Sequence, residues 1–275
     1  MDLDQMKFGF LPEPPNPKHY SYEEKLKARL SPFASYSDRD LRPFSPDEQR
    51  HNQGATGSCV AQGVVRGLEI RQNMVSGIEK HVSLSRLAVY YLAREMMSPS
   101  ETSKDRGTYV SNGCDVLRRF GVCPETDWPF DTSKVTVSPP WMAMRRAYQH
   151  KIQAFYRITS IGQDRVGEVA RCIQAGLPVV FGTLIGNDWS GATYRGDMFD
   201  IPPLTLPGSN IRGGHCTILI GTHEGTFIGE NSWGTLWGDH GFYRMDPAVI
   251  AANVSSDFWV MENEDDPWTQ GKVTP

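Results

Sequence analysis

Residues 53–61 read QGATGSCVA, from Gln53 to Ala61, and the fold turns on how this stretch is read. Gly54 to Ser58 is turn-forming. From Cys59 onward Val60, Ala61, Val64 and Leu68 fall on one helical face, which predicts a helix beginning at or next to Cys59. A free thiol titrates near pH 8.5 and is mostly unreactive at neutral pH, but a helix N-terminus and a neighbouring imidazolium lower its pKa toward about 3–4. A cysteine on its own is more often a buried structural thiol. The weight therefore falls on what accompanies Cys59.

Working outward, Leu84, Leu87, Ala88 and Tyr91 after Ser83 signal a second helix, and Val116, Leu117 and Phe120, stopped at Gly121, a third. Trp141 to Tyr148 and Val166 to Ala175 read as further helices, the last ended by Gly176 and Pro178. Beyond them short β-branched or aromatic runs dominate: 178–184, 215–221, 226–230, 241–245 and 258–261, separated by Gly, Asp and Asn turns. Helices first and strands afterwards predict an α+β protein in two lobes rather than a wound βαβ sheet. Residues 1–37 are rich in proline, tyrosine and charge. Pro12, Pro14, Pro15 and Pro17 exclude a continuous helix there, leaving an arm laid over a surface with a short helix within 22–30. A polar, acidic stretch, 263–275, closes the chain.

Three separated segments carry the chemistry. QGATGSCVA resembles the nucleophile motif of papain-like cysteine peptidases, with a glutamine six residues before the cysteine and a Gly-Ser pair immediately before it. GGHC at 213–216 and ENSWGTLWGDHGF at 230–242 resemble the histidine and asparagine segments of the same family, in the same order. DLRPF at 40–44 looks like the family's mature-domain start, YRGDMF at 194–199 like its segment before the histidine, and GVCPETDWPF at 121–130 like its bacterial-type members. The arm FLPEPPNPKHYSY resembles the short leader of those members.

The resemblance implies a papain-like two-lobed fold: a mainly helical lobe over 38–135, and an antiparallel β-barrel-like lobe over 136–262, with the active-site cleft between them. It implies Cys59 as nucleophile, His215 as its proton partner, Asn231 as the orienter of the imidazole, and Trp233 as a shield for that hydrogen bond. The Gln53 side chain and the Cys59 backbone N–H would hold the oxyanion. Gly107 and Thr108 fall where substrate backbone approaches, Thr108 in place of a second glycine. Gly182 and Gly214 map to the walls of a side-chain pocket, which two glycines would leave roomy. The chemistry is independent of the name: a thiolate attacks a peptide carbonyl, and the imidazole protonates the leaving amine and then activates water.

Thr56 stands where secreted relatives have a disulfide cysteine, and the partner position falls near Asp105; both sulfurs are absent together. Five cysteines in all, Cys59, Cys114, Cys123, Cys172 and Cys216, are few and odd in number, which fits a reducing compartment such as the cytoplasm, a phage or virion setting being compatible with it. The first residues lack the basic start and apolar run of a secretory signal. A formal charge of -4 with well mixed signs gives no basic face for nucleic acid or anionic lipid, and no run reaches the ~20 apolar residues of a membrane span. No metal or cofactor is expected: adjacent His215 and Cys216 would point to opposite faces of a strand. The partner is a peptide or protein substrate. Two other readings share these residues, a binding or autoinhibited protein on the same scaffold and a cell-wall peptide amidase.

Overall fold

The computed structural model describes residues 3–30, 37–191, 199 and 202–263. The stretch 194–199 from the sequence reading lies outside these except at Phe199, as do residues 264–275 of the acidic end. The helices are α1 (Tyr22–Lys25), α2 (Cys59–Ser76), α3 (Arg86–Met97), α4 (Val110–Arg119), α5 (Trp141–Met144), α6 (Gly162–Gln174), α7 (Asp188–Gly191) and α8 (Pro247–Ala251). The strands are β1 (Arg39–Asp40), β2 (Ala154–Ile158), β3 (Val179–Ile185), β4 (Gly213–His223), β5 (Thr226–Glu230), β6 (Phe242–Met245) and β7 (Ser255–Glu262).

Helix α2 starts at Cys59, as its apolar periodicity predicts, and is buried for nearly its whole length. Two glycines make that burial possible. A Cβ on Gly67 would lie 2.6 Å from Met261 Cε and 3.3 Å from Ile218 Cδ1, and one on Gly63 3.3 Å from Val180 Cγ1. The helix therefore lies directly on β3, β4 and β7, with α3 and α4 packed on its outer side. Ser85, not Ser83, caps α3, its side chain accepting from Ala88 N–H. The helix over 141–148 is shorter than the sequence implies: α5 is followed by a separate tight turn over Ala147–Gln149.

The strands form one antiparallel sheet in the order β2-β7-β3-β4-β5-β6, with β1 paired to the far end of β4. This corrects the barrel-like lobe expected from the sequence. The two outer strands, β2 and β6, are not bonded to each other, so the sheet stays open. They are only five and four residues long, and irregular segments cover their free edges instead. Ser21 bridges Arg157 on β2, and Leu204 bridges Met245 on β6. Irregularities between Val180 and Gly182 and between Leu219 and Gly221 interrupt the ladder without closing it.

A second core lies on the opposite face of the sheet, where α6 and α8 pack. The arm contributes to it: Tyr22, Leu26 and Leu30 are buried there beside Val169, Ile173 and Phe181. Helices on one face and arm plus α6 on the other leave α2 at the junction of the two lobes. That is where β4 brings the backbone of Cys216, the neighbour of His215, to Cys59 at the helix start.

Candidate active site

Gln53 precedes α2 by six residues and is fully buried. Its backbone N–H donates to Ser232 O at 2.8 Å, and its Oε1 accepts from Ser232 Oγ at 2.6 Å. Asn52 bridges Trp233, and Gly234 N–H donates to His51 O at 2.9 Å. The loop before Cys59 is thus fastened to the loop after β5, although nearly 180 residues separate them in sequence. With its carbonyl oxygen held by Ser232, the Gln53 amide is turned so that Nε2 donates to Thr56 O at 2.8 Å and to Lys7 O at 3.4 Å.

His215 lies on β4 and is fully buried. Its Nε2 donates to Asn231 Oδ1 at 2.8 Å, and Nδ1, the other ring nitrogen, makes no hydrogen bond among the described residues. The Asn231 oxygen also accepts from Ser232 N–H at 2.7 Å, which fixes its orientation. Trp233 lies 4.8 Å from the imidazole centroid and Trp189, from α7, stands edge-on at 5.7 Å. Trp237 packs on both and donates its Nε1–H to Trp189 O. Cys216, next along β4, faces the other way: its Sγ is 3.5 Å from the Cβ position of Gly63. No three metal-binding side chains converge among the described residues.

The arm fills the cleft. Phe10 N–H donates to Gly214 O, Leu11 N–H to Thr108 O, and Thr108 N–H to Gly9 O, at 3.0–3.3 Å. Gly9 passes between Gly57 and Gly107 so closely that a Cβ on it would be 1.8 Å from Gly57 O, and one on Gly107 1.9 Å from Gly9 O. Gly107 also has φ +89°, a conformation that disfavours any side chain. The Phe10 ring fills the recess at Gly182, where a Cβ would lie 2.0 Å from it, and at Gly214, where the nearest ring atom would be 3.1 Å away. Gly107, Thr108, Gly182 and Gly214 all touch the arm, while Trp233 stands behind His215.

Burial displaces both groups of the pair. Removal from water pushes the Cys59 thiol up to about 11, against smaller opposing effects of nearby backbone at Cys216 and Gly9. It also pulls the His215 imidazole down to about 4, partly opposed by the bond to Asn231. With the arm in place both groups are neutral at pH 7.

Sequence reading missed Ser232 and Trp189, and met Asp105 only as a position lacking sulfur. Asp105 Oδ1 accepts from Gly57 N–H at 2.9 Å and from Tyr90 OH at 2.6 Å, pinning the turn before Cys59. Ser232 had a signal, since it lies between Asn231 and Trp233. Asp105 had one in its pairing with Thr56, and Trp189 had none.

The profile of the papain family cysteine proteases matches residues 39–260. The chain belongs to that family. An uncharacterized peptidase C1-like protein of Acanthamoeba polyphaga mimivirus is 31% identical over 259 residues, covering 88% of this chain and 80% of the relative. Cathepsin L 1 of Paramecium tetraurelia is 25% identical over 195 residues, and the match spans 70% of this chain and 54% of that relative. Among solved structures, xylellain, a cysteine protease from Xylella fastidiosa, superposes with a TM-score of 0.75 at 24% identity, covering 94% of this chain and 97% of xylellain. The Carica candamarcensis cysteine protease CMS1MS2 gives 0.57 at 22% identity, over 82% and 98%. This papain-family protein is a cysteine peptidase, a hydrolase of peptide substrates. None of its described helices is long and apolar enough to cross a membrane.

Proposed function

We propose that Cys59, His215, Asn231 and Gln53 carry the hydrolysis, and that residues 7–11 hold the cleft shut until the arm moves. The observation that carries both is the passage of Gly9 between Gly57 and Gly107, at the start of α2, with Phe10 in the adjoining recess. A peptide backbone therefore fits this groove, and here the chain supplies its own.

Once the arm leaves, water and substrate reach a thiol at a helix N-terminus beside an imidazole with a free Nδ1. His215 takes the Cys59 proton, and the thiolate adds to the substrate carbonyl. Negative charge develops on the carbonyl oxygen, where Gln53 Nε2, released from Lys7 O, and the Cys59 backbone N–H stabilise it. Loss of one such donor costs about 3–4 kcal/mol in the barrier. His215 then protonates the leaving amine, which departs and leaves a thioester. Water, deprotonated by His215, adds to the thioester, and expulsion of the Cys59 thiolate frees the acid. Asn231 Oδ1 holds the imidazole in the tautomer protonated at Nε2 throughout.

The recess filled by Phe10 supports a preference for an aromatic or large apolar substrate side chain there. We also read the arm as a short leader of the bacterial type, on the ground that the match to xylellain spans 94% of this chain. Five cysteines without a disulfide support a reducing compartment.

The test is hydrolysis of fluorogenic peptides carrying Phe on the acyl side, one residue from the cleaved bond. Full-length parent protein turns over slowly, Phe10→Ala in the full chain turns over at least several-fold faster, and Cys59→Ala not at all. Turnover by Cys59→Ala would sink the assignment of the nucleophile. Equal initial rates for parent and Phe10→Ala would sink the closed-cleft reading.

A further inference from the structure

Gln62 stands one helical turn after Cys59 on α2, and a chain of hydrogen bonds orients its amide. Gln53 O can only accept, so Thr56 Oγ1 donates to it, at 2.7 Å. With that proton spent, Thr56 Oγ1 accepts from Ser58 Oγ at 2.8 Å, and Ser58 Oγ in turn accepts from Gln62 Nε2 at 3.0 Å. The donor end of the Gln62 amide therefore faces Ser58. Its acceptor, Oε1, faces away and has no hydrogen-bond partner among the described residues, although Gln62 is buried.

Asn231 carries the complementary orphan. Its Oδ1 accepts from His215 Nε2 and from Ser232 N–H, which turns Nδ2 away from the imidazole. Nδ2 can donate twice, yet it too is buried without a partner among the described residues. Gln62 and Asn231 line the same small cavity between α2 and the end of β5, together with His51, Arg66, Glu230 and Ser232. Its volume is about 10 Å³, the space of a single water. A buried water needs two to four polar partners, and this cavity presents an amide donor, an amide acceptor and the Glu230 carboxylate.

Resting on the peptidase reading above, we propose that this cavity binds one water, which accepts from Asn231 Nδ2 and donates to Gln62 Oε1, and that Gln62 is through it a positioning residue for Asn231. The Asn231 amide is then held at both ends. Rotated by half a turn, it would set Nδ2 against two donors, His215 Nε2–H and Ser232 N–H, and the imidazole would lose the acceptor that fixes its tautomer. The same string of bonds runs through Ser58 and Thr56 to the Gln53 carbonyl, so one side chain on α2 braces both the loop bearing Gln53 and the strand end bearing Asn231.

A crystal structure of the full-length protein, at a resolution that shows ordered water, is expected to hold one water within hydrogen-bond distance of Asn231 Nδ2 and Gln62 Oε1; an empty cavity overturns the proposal. Kinetics on the full-length chain carrying Phe10→Ala, with the fluorogenic Phe peptides, test the positioning role. Adding Gln62→Met, which keeps the length and removes the acceptor, is expected to lower kcat about five- to tenfold, the worth of one buried hydrogen bond, with KM changed less than about twofold. Gln62→Glu, which presents an acceptor in the same place, restores most of kcat. An unchanged kcat in Gln62→Met, a loss confined to KM, or equal losses in the two variants overturns the role. The His215 Nε2 proton, a low-field NMR resonance identified by its disappearance in His215→Ala, is expected to exchange with water several-fold faster in Gln62→Met than in the parent; equal exchange overturns the role as well. If Gln62→Met does not fold, the water in the parent structure and the kcat of Gln62→Glu, close to that of the parent or well below it, decide. The structure and the proton exchange need no turnover, so a Phe10→Ala protein that cleaves no peptide sinks the peptidase reading while these two measurements still decide for or against the water and its hold on Asn231.

Discussion

Cys59 and His215 are displaced in opposite directions, the thiol up to about 11 and the imidazole down to about 4, and burial is the main cause of both. A depressed histidine favours the folded state above the unfolded value of about 6.5, and that support is lost as pH falls toward the shifted value. A raised cysteine favours it below the unfolded value near 8.5–9, and that support is lost as pH rises toward 11. The folded chain therefore gains most from these two groups between about pH 6.5 and 9. The midpoint of urea denaturation is expected to be highest in that window and to fall on both sides; a midpoint that rises steadily with acidification would contradict the account. At this scale the candidate set Gln53, Cys59, His215 and Asn231 was legible in the sequence, because each sits in a local motif whose neighbours are part of the signal. The hydrogen bonds of Asp105 and the whole of Trp189 were not legible. Their place in the site comes from Tyr90 on α3 and from the packing of α7 beside Trp233, which no spacing along the chain encodes.

The element that positions the site is α2, and charged residues buried at its flank link the two lobes. Arg66 on α2 pairs with Glu69 at 3.0 Å and with Glu230 at 2.9 Å, and Glu230 also takes Arg50 at 2.7 Å and Ser45 Oγ at 2.6 Å. His51 joins the same group through Glu69 at 3.1 Å. Glu230 immediately precedes Asn231, and His51 lies two residues before Gln53, so the cluster ties the strand end bearing one to the loop bearing the other. Glu230→Gln leaves Arg50 and Arg66 buried with half their compensation and is expected to destabilise the fold by about 3–5 kcal/mol, read as a fall in the midpoint of chemical denaturation. A change below about 1 kcal/mol would mean that water reaches these arginines. The start of α2 was legible from its apolar face, and most of the strands from their β-branched runs. Strand β2 was not: Ala154–Ile158 places Arg157 on an edge and lacks the long apolar alternation that marks a strand. The open sheet was equally hidden, because closure depends on whether β2 and β6 meet, and their sequences do not differ for a paired or a covered edge.

Across the whole molecule the arm has two parts with different work. Residues 7–11 lie in the cleft, whereas Tyr22, Leu26 and Leu30 are buried in the second core against α6 and the sheet. Between them the chain is clasped to the sheet: Arg157 Nη2 donates to Glu13 O at 3.1 Å and pairs with Asp257 at 2.6 Å, while Asp257 Oδ2 accepts from Glu13 N–H at 3.0 Å. Further along, the Glu23 carboxylate accepts from Thr159 and Ser160 N–H, both at 2.9 Å. Removing the whole arm therefore does more than open the cleft. Each large apolar side chain stripped from a core costs about 2–5 kcal/mol, so loss of Tyr22, Leu26 and Leu30 together approaches the total stability of an ordinary domain. Shortening the chain to begin at residue 13 is expected to raise alkylation of Cys59 at neutral pH strongly and to lower Tm modestly, since Leu3 and Phe10 are lost from the buried set but the clasp remains. Beginning instead at residue 31 is expected to lower Tm far more, or to leave no folded protein, measured by circular dichroism on the two shortened chains side by side. Equal Tm values for the two would show that residues 13–30 merely lie on the sheet, and the arm would then be a cleft-filling segment alone.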